Sequence, residues 1–254
     1  MSLGDFDPDW FSEEEFWRAS FPFMFGAGKL DIADAETEQM IALSGRERGD
    51  LLDMCCGPGR HSLAFARRGF RVTGVDATTF LLDKAREEAE REGADVEWVE
   101  SDMREFVRPE SYDLALSLFT SFGFFEDGAD NRRVLEHICR SLRPGGALVL
   151  DVLGKEVLAR KFQTSDTQES PTGEVVVQRR RVFDDWNRIA TDWIFLGDDG
   201  VRRFHLRLWL YSGQELREML LGAGFDAVEL YGDFLGSVYG PQATRLVAVA
   251  TRAG

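Results

Sequence analysis

The stretch LLDMCCGPGRHS, residues 51–62, constrains the fold more than any other part of the chain. Four residues of buried-strand character (51–54) run through Asp53 into a Cys-Cys-Gly-Pro-Gly turn. The turn opens a helix over residues 60–67. A strand, a glycine-rich turn and a helix in this order belong to parallel sheets that bind a ligand at the turn. The text that follows repeats the theme. Strands are predicted at 71–75, 96–100, 112–117 and 147–152. Helices are predicted at 79–91, where Leu81, Leu82, Ala85 and Ala89 share related faces, and at 130–142. The second ends at Arg143-Pro144-Gly145-Gly146, where proline and glycine stop a helix. This strand–helix alternation predicts an α/β fold with a doubly wound, mostly parallel sheet.

Beyond Thr164 the period falls to two. Residues 175–183, 189–196 and 201–210 read as three antiparallel strands, with Phe204, Leu206, Leu208 and Leu210 alternating against Arg203, His205, Arg207 and Trp209. Gly197-Asp198-Asp199-Gly200 supplies a hairpin turn. Ser212-Gly-Gln-Glu215 is a capping box for a helix to Leu221, and strands at 227–231 and 244–251 close the chain. Before the sheet, residues 1–45 are rich in acids and aromatics, including Trp10, Phe11, Phe16, Trp17, Phe21, Phe23 and Phe25. Ser12 and Glu15 suggest a capping box there, and a second helix is expected at 34–43. The whole chain, 1–254, is expected to form one domain. Residues 1–45 would be an aromatic helical lid, and 165–210 an antiparallel β insertion that roofs the site or makes a dimer contact.

Composition excludes several classes. The net charge of −15 opposes attraction to phosphate backbones, so no nucleic-acid partner is expected. No apolar run is long enough for a bilayer span, and the acidic N-terminus does not resemble a secretory signal, so no membrane and a cytoplasmic location are expected. Cys55, Cys56 and Cys139 form no framework, and His61, His137 and His205 are well separated, so no metal is expected.

Two ligands compete for the glycine turn. Gly57-Pro-Gly59 with Ser62 is a partial dinucleotide motif, and Asp76 ends the next strand, where an acid grips ribose hydroxyls. Asp53 discriminates between them: it stands where a pyrophosphate would sit, and two anions would repel. An ammonium or sulfonium group would be welcome there, so S-adenosylmethionine suits the site better than NAD.

Four segments together carry a resemblance: Asp53-Met-Cys-Cys-Gly57-Pro-Gly59, Gly74-Val-Asp76, Ser101-Asp102-Met103 and Leu142-Arg-Pro-Gly-Gly146. In order and spacing the chain resembles the class I S-adenosylmethionine-dependent methyltransferases of small-molecule type, over about residues 45–155. The resemblance implies a Rossmann-like, seven-stranded sheet with S-adenosylmethionine as cofactor. It also implies roles. Asp53 would sit near the cofactor's amino group, and the backbone of Cys55, Gly57 and Gly59 would line its methionine and ribose. Asp76, followed by Ala77, would accept the ribose hydroxyls. Asp102 and Met103 would take the adenine, and Leu118 and Phe119 would flank the methyl. Where the family has Asp-x-Gly-x-Gly-x-Gly, Cys55 replaces the first glycine, which implies that this position does not need a positive φ.

No catalytic residue is evident. Thr120, Ser121 and His61 are the candidates, and the aromatic stretch around Phe119, Phe122, Phe124 and Phe125 either walls a substrate pocket or packs under the N-terminal aromatics. The expected reaction is methyl transfer to nitrogen or oxygen of a small molecule by in-line displacement, from a monomer or homodimer. A catalytically silent cofactor-binding sensor and an NAD-linked oxidoreductase are the alternatives.

Overall fold

The computed structural model describes residues 7–26, 32–170, 173–198 and 200–254. Asp199 of the predicted hairpin turn, and residues 1–6 and 27–31 of the expected lid, lie outside them.

The glycine-turn strand is β1 (Asp50–Met54), followed by α3 (Arg60–Arg67), β2 (Arg71–Asp76), α4 (Thr79–Glu92), β3 (Val96–Glu100) and β4 (Tyr112–Ser117). Helix α5 (Gly128–Ser141) then leads to β5 (Leu142–Val152), and the chain ends in α7 (Gly213–Gly222), β10 (Phe225–Tyr231) and β11 (Leu246–Arg252). Seven of these strands form one sheet in the order β10-β11-β5-β4-β1-β2-β3. Pairing is parallel from β5 through β3, whereas β11 is antiparallel to both β5 and β10. Central strands buried on both faces need continuous apolar text. Leu51, Leu52, Leu114 and Leu116 supply it and are fully buried. From β1 the chain builds outward to β2 and β3, then returns to lay β4 on the other flank of β1. That reversal opens a crevice beyond the carboxyl ends of β1 and β4, where ligands of such sheets bind.

The insertion is larger than expected: β6 (Ser165–Glu169), β7 (Val175–Phe183), β8 (Arg188–Gly197) and β9 (Gly200–Trp209) form a four-stranded antiparallel sheet rather than three strands. The sequence of β6, SDTQE, lacks the apolar alternation that betrays a half-buried strand, and only its pairing with β7 makes it one. A short helix, α6 (Lys155–Lys161), also escaped the sequence reading.

The N-terminal segment holds α1 (Glu14–Met24) and α2 (Ala33–Ser44). The expected capping box is not made: Glu13 occupies the cap, and the Ser12 hydroxyl donates instead to the Asp9 carbonyl at 2.7 Å. Phe16 and Phe23 of α1 pack on the insertion, Phe16 against Trp193 and Phe204 with ring centres 5.6 and 5.5 Å apart, and Phe23 against Phe195 at 5.7 Å. At α7 the expected box is complete, the Ser212 hydroxyl accepting from the Glu215 amide while the Glu215 carboxylate accepts from the Ser212 amide at 2.7 Å. Ser212→Ala should cost about 1 kcal/mol of stability, read in chemical denaturation as a lower midpoint with an unchanged slope.

Candidate active site

The crevice holds a small, mostly apolar cavity of about 120 Å³. Three acids stand around it, and each follows from strand ends that the sheet brings side by side. Asp53 from β1 is buried and accepts the Ser62 hydroxyl at 2.6 Å. Asp76 ends β2 and is buried too. Its two oxygens accept the Gly57 and Thr78 amides, each at 2.9 Å. The two amides hold the carboxylate in place and leave further lone pairs on both oxygens. Asp102, just beyond β3, accepts the Arg104 amide at 2.7 Å and the Arg104 guanidinium at 2.6 Å. Burial pushes the Asp53 and Asp76 carboxyls above the usual range, with Ser62 opposing the rise at Asp53 and the Thr78 and Gly57 amides opposing it at Asp76.

The turn itself departs from the sequence reading at one atom. Cys55 has φ of +60°, so this position does take the left-handed backbone, and the cysteine adopts it without the freedom of a glycine. Gly57 (φ +55°) and Gly59 (φ +77°) alternate with it in the same region. The thiols of Cys55 and Cys56 are pushed well above their ordinary value by burial and by the neighbouring acids. Protonated thiols are poor nucleophiles and poor metal ligands. Among the described residues no three His, Cys, Asp or Glu side chains come together to hold a metal.

Most of the residues named from sequence meet at the cavity: Asp53, Cys55, Gly57, Asp76, Ala77, Asp102, Met103, Leu118 and Phe119 all line it. Gly59 does not. Its α-carbon faces Trp98 of β3 and Ala85 of α4 instead. Of the catalytic candidates, Ser121 and His61 line the cavity and Thr120 does not. The Ser121 hydroxyl donates to the Leu118 carbonyl at 2.7 Å, and His61 Nε2 lies 2.9 Å from Glu36 of α2. Burial pushes His61 below its ordinary value against the pull of Glu36, so the imidazole is neutral near pH 7.

The other wall comes from the two aromatic segments, and of its residues the sequence reading left out only Met24. Phe11, Trp17, Met24 and Phe25 of the N-terminal segment line the cavity with Phe124 and Phe125. The two aromatic segments also pack together, Trp10 on Phe124 at 5.0 Å and Phe11 on Phe125 at 5.3 Å, so wall and packing are one arrangement. No strand of the insertion contributes to the lining. The small sheet instead backs the N-terminal helix that does. Two of the insertion's arginines face acids: Arg202 pairs with Glu174, and Arg180 lies 3.8 Å from Asp166.

The donor set suits a particular ligand chemistry. Buried carboxylates at the ends of neighbouring strands accept hydroxyl and amino protons and attract a cation, while they repel a pyrophosphate. A nucleoside carrying a sulfonium and an amino-acid tail fits such a set. Residues 51–146 match the family model described as a methyltransferase domain. Over 204 residues the chain is 27% identical to the cypemycin N-terminal methyltransferase of a Streptomyces species, an alignment spanning 80% of this chain and 82% of that one. It is 29% identical over 187 residues to the glycine/sarcosine N-methyltransferase of Aphanothece halophytica, spanning 72% and 69%. The solved CcbJ methyltransferase of Streptomyces caelestis has the same fold, with a TM-score of 0.80 at 21% identity over 98% of this chain and 100% of that one. The domain match, the similar proteins and the shared fold support a class I S-adenosylmethionine-dependent methyltransferase. Among the described residues no helix is long and apolar enough to cross a membrane.

Proposed function

We propose that the enzyme methylates an amine nitrogen of a small molecule by in-line displacement. The observation that carries this reading is the state of the titratable groups at the cavity. Asp53, Asp76 and Asp102 already accept protein donors, His61 Nε2 is turned to Glu36, and the two thiols are protonated. A hydroxyl acceptor needs a base in the transition state, whereas a neutral amine does not. One of the similar proteins is a glycine/sarcosine N-methyltransferase, which supports the same choice.

S-adenosylmethionine, when bound, supplies a methyl group already activated on a cationic sulfur. The chain then has to bind, align and exclude water. Asp76 takes the ribose hydroxyls on its remaining lone pairs, Asp53 faces the amino-acid tail, and Asp102 with Met103 takes the adenine. Leu118 and Phe119 flank the methyl. Phe11, Trp17, Phe124 and Phe125 cover the remaining space, take the acceptor's apolar body and keep bulk water out. Residues 7–26 thus act as a lid, with the small sheet behind it. Alignment of this kind supplies up to roughly 7–11 kcal/mol of a barrier. The net charge of −15 supports a small, neutral or cationic acceptor rather than a nucleic acid.

The test is incubation with methyl-labelled S-adenosylmethionine and matched panels of small amines and alcohols. Amines should be labelled and the matching alcohols not. Labelling confined to alcohols would overturn the nitrogen assignment. Tight cofactor binding with no labelled product from either panel would overturn the proposed acceptor class.

A further inference from the structure

The loop after β4 contains two successive non-glycine residues in the left-handed region, Phe119 at φ +56° and Thr120 at φ +62°. Such backbone persists only where the surroundings hold it. Both amides are caught by one residue: the Phe119 amide donates to Asp151 Oδ2 at 3.0 Å, and the Thr120 amide donates to the Asp151 carbonyl at 3.0 Å. Arg245, one residue before β11, donates from Nη1 to the same Asp151 Oδ2 at 2.7 Å and lays its guanidinium 4.4 Å from the centre of the Phe119 ring. From Nη2 it reaches Glu36 at 3.3 Å, and Glu36 meets His61. His61 stacks on Phe119 with ring centres 5.5 Å apart and planes 23° apart, and the Arg60 guanidinium lies 3.8 Å from that ring. Asp151, Arg245, Glu36, His61 and Phe119 therefore close a circuit around a wall of the cavity.

We propose that Asp151 and Arg245 are positioning residues of the methyl-transfer site, which hold the Phe119–Thr120 turn against the bound donor. Neither lines the cavity, so both act through Phe119. This rests on the reading of Phe119 as a flank of the transferable methyl. Three charged groups bear on the Asp151 carboxyl from the packed elements, Arg245, Glu36 from α2 and Arg60 from α3, while His61 of α3 faces Glu36. Burial pushes that carboxyl up to about 6, against the pull of Arg245 and of the Phe119 amide. Below that pH the proton neutralises the acceptor that Arg245 and Phe119 share, and the turn loosens. The sign of the linkage makes the loosening local. A carboxyl whose folded pKa lies above its unfolded value binds its proton more tightly in the folded state. Acidification through pH 6 thus favours the fold at this position even as it releases the turn.

The experiment follows the Phe119 amide by nuclear magnetic resonance in the ligand-free protein from pH 7.5 to 5. It also measures S-adenosylhomocysteine affinity by calorimetry at pH 7.5, with a melting temperature for each variant. The amide should titrate near pH 6 in the native protein and cease to do so in Asp151→Asn. In Arg245→Met, which removes the cation opposite the carboxylate, its midpoint should move upward. Affinity in Asp151→Asn should fall about tenfold, with Arg245→Lys intermediate between the native protein and Arg245→Met. An amide that does not titrate between these limits, or titrates alike in Asp151→Asn, overturns the proposal, as does native affinity in both Asp151→Asn and Arg245→Met. The amide readout needs neither cofactor nor acceptor, so its failure is distinct from a failure of the amine reading.

Discussion

Replacing Asp76 with asparagine should lower S-adenosylmethionine affinity by at least about a hundredfold. The native carboxylate accepts two backbone amides, from Gly57 and Thr78, and keeps lone pairs on both oxygens for a ligand. An asparagine has one oxygen, so its amide nitrogen must face one of those N–H donors, or the side chain must turn away. The loss has two parts. Hydrogen bonds to a charged group contribute about 1.5–3 kcal/mol each, so a side chain turned away from both proposed ribose hydroxyls forfeits about 3–6 kcal/mol. Even the lower end exceeds a hundredfold in the dissociation constant. The turn that carries Gly57 also loses an anchor, which adds to the effect on binding. Calorimetry with S-adenosylmethionine gives the measurement, and a melting curve for the same variant separates lost binding from lost fold. Affinity within threefold of native would remove Asp76 from the cofactor site. Acid should act in the same direction. Because burial raises the Asp76 and Asp53 carboxyls, protons neutralise them at a higher pH than they would on the surface, and cofactor affinity falls as the pH drops through that range.

The sheet was legible because its signals are local. Strand β1 reads as apolar text ending at an acid, α4 as apolar residues at helical spacing, and β9 as strict alternation. Asp53 and Asp76 were legible for a related reason: in parallel sheets a charged residue at a strand's carboxyl end points to the crevice. What stayed hidden depends on partners far along the chain. Strand β6 is five polar residues that become a strand only beside β7. The left-handed backbone at Phe119 and Thr120 has no glycine to announce it, and Asp151 and Arg245, which hold that turn, come 32 and 94 positions apart from their partners. Cys55 shows the limit of residue identity as a guide to backbone. A cysteine in place of glycine suggested ordinary φ, yet the fold keeps +60° there, a conformation that costs an L-residue roughly 1–2 kcal/mol. The N-terminal aromatics were ambiguous for a different reason. Packing and lining draw on the same residue types, and α1 does both, with Phe16 and Phe23 on the small sheet and Trp17 and Met24 at the cavity.

Gly59→Ala should damage the fold more than the site. The sequence motif makes Gly59 a cofactor residue, whereas its surroundings make it a packing residue. A methyl group there would lie 2.5 Å from Trp98 Cη2 and 3.0 Å from the Ala85 methyl, on a backbone at φ +77°. Two costs add. The left-handed conformation takes roughly 1–2 kcal/mol from an L-residue, and forcing a methyl into a filled space takes about 1–3 kcal/mol more. A loss of about 2–5 kcal/mol corresponds to a melting temperature lower by about 4–20 °C for a chain of this size. Gly57→Ala isolates the first cost, since the nearest atom to its added methyl is 3.7 Å away on Phe25. Its melting temperature should fall less, and its cofactor affinity more, because Gly57 lines the cavity and Gly59 does not. Pairing Gly59→Ala with Trp98→Leu isolates the second cost. The leucine vacates the space that the methyl needs, so the double variant should be more stable than the sum of the single effects predicts, by about 1–3 kcal/mol. Strict additivity would mean that Trp98 does not press on Gly59. A Gly59→Ala protein that melts at the native temperature would mean that the glycine is there for the ligand after all.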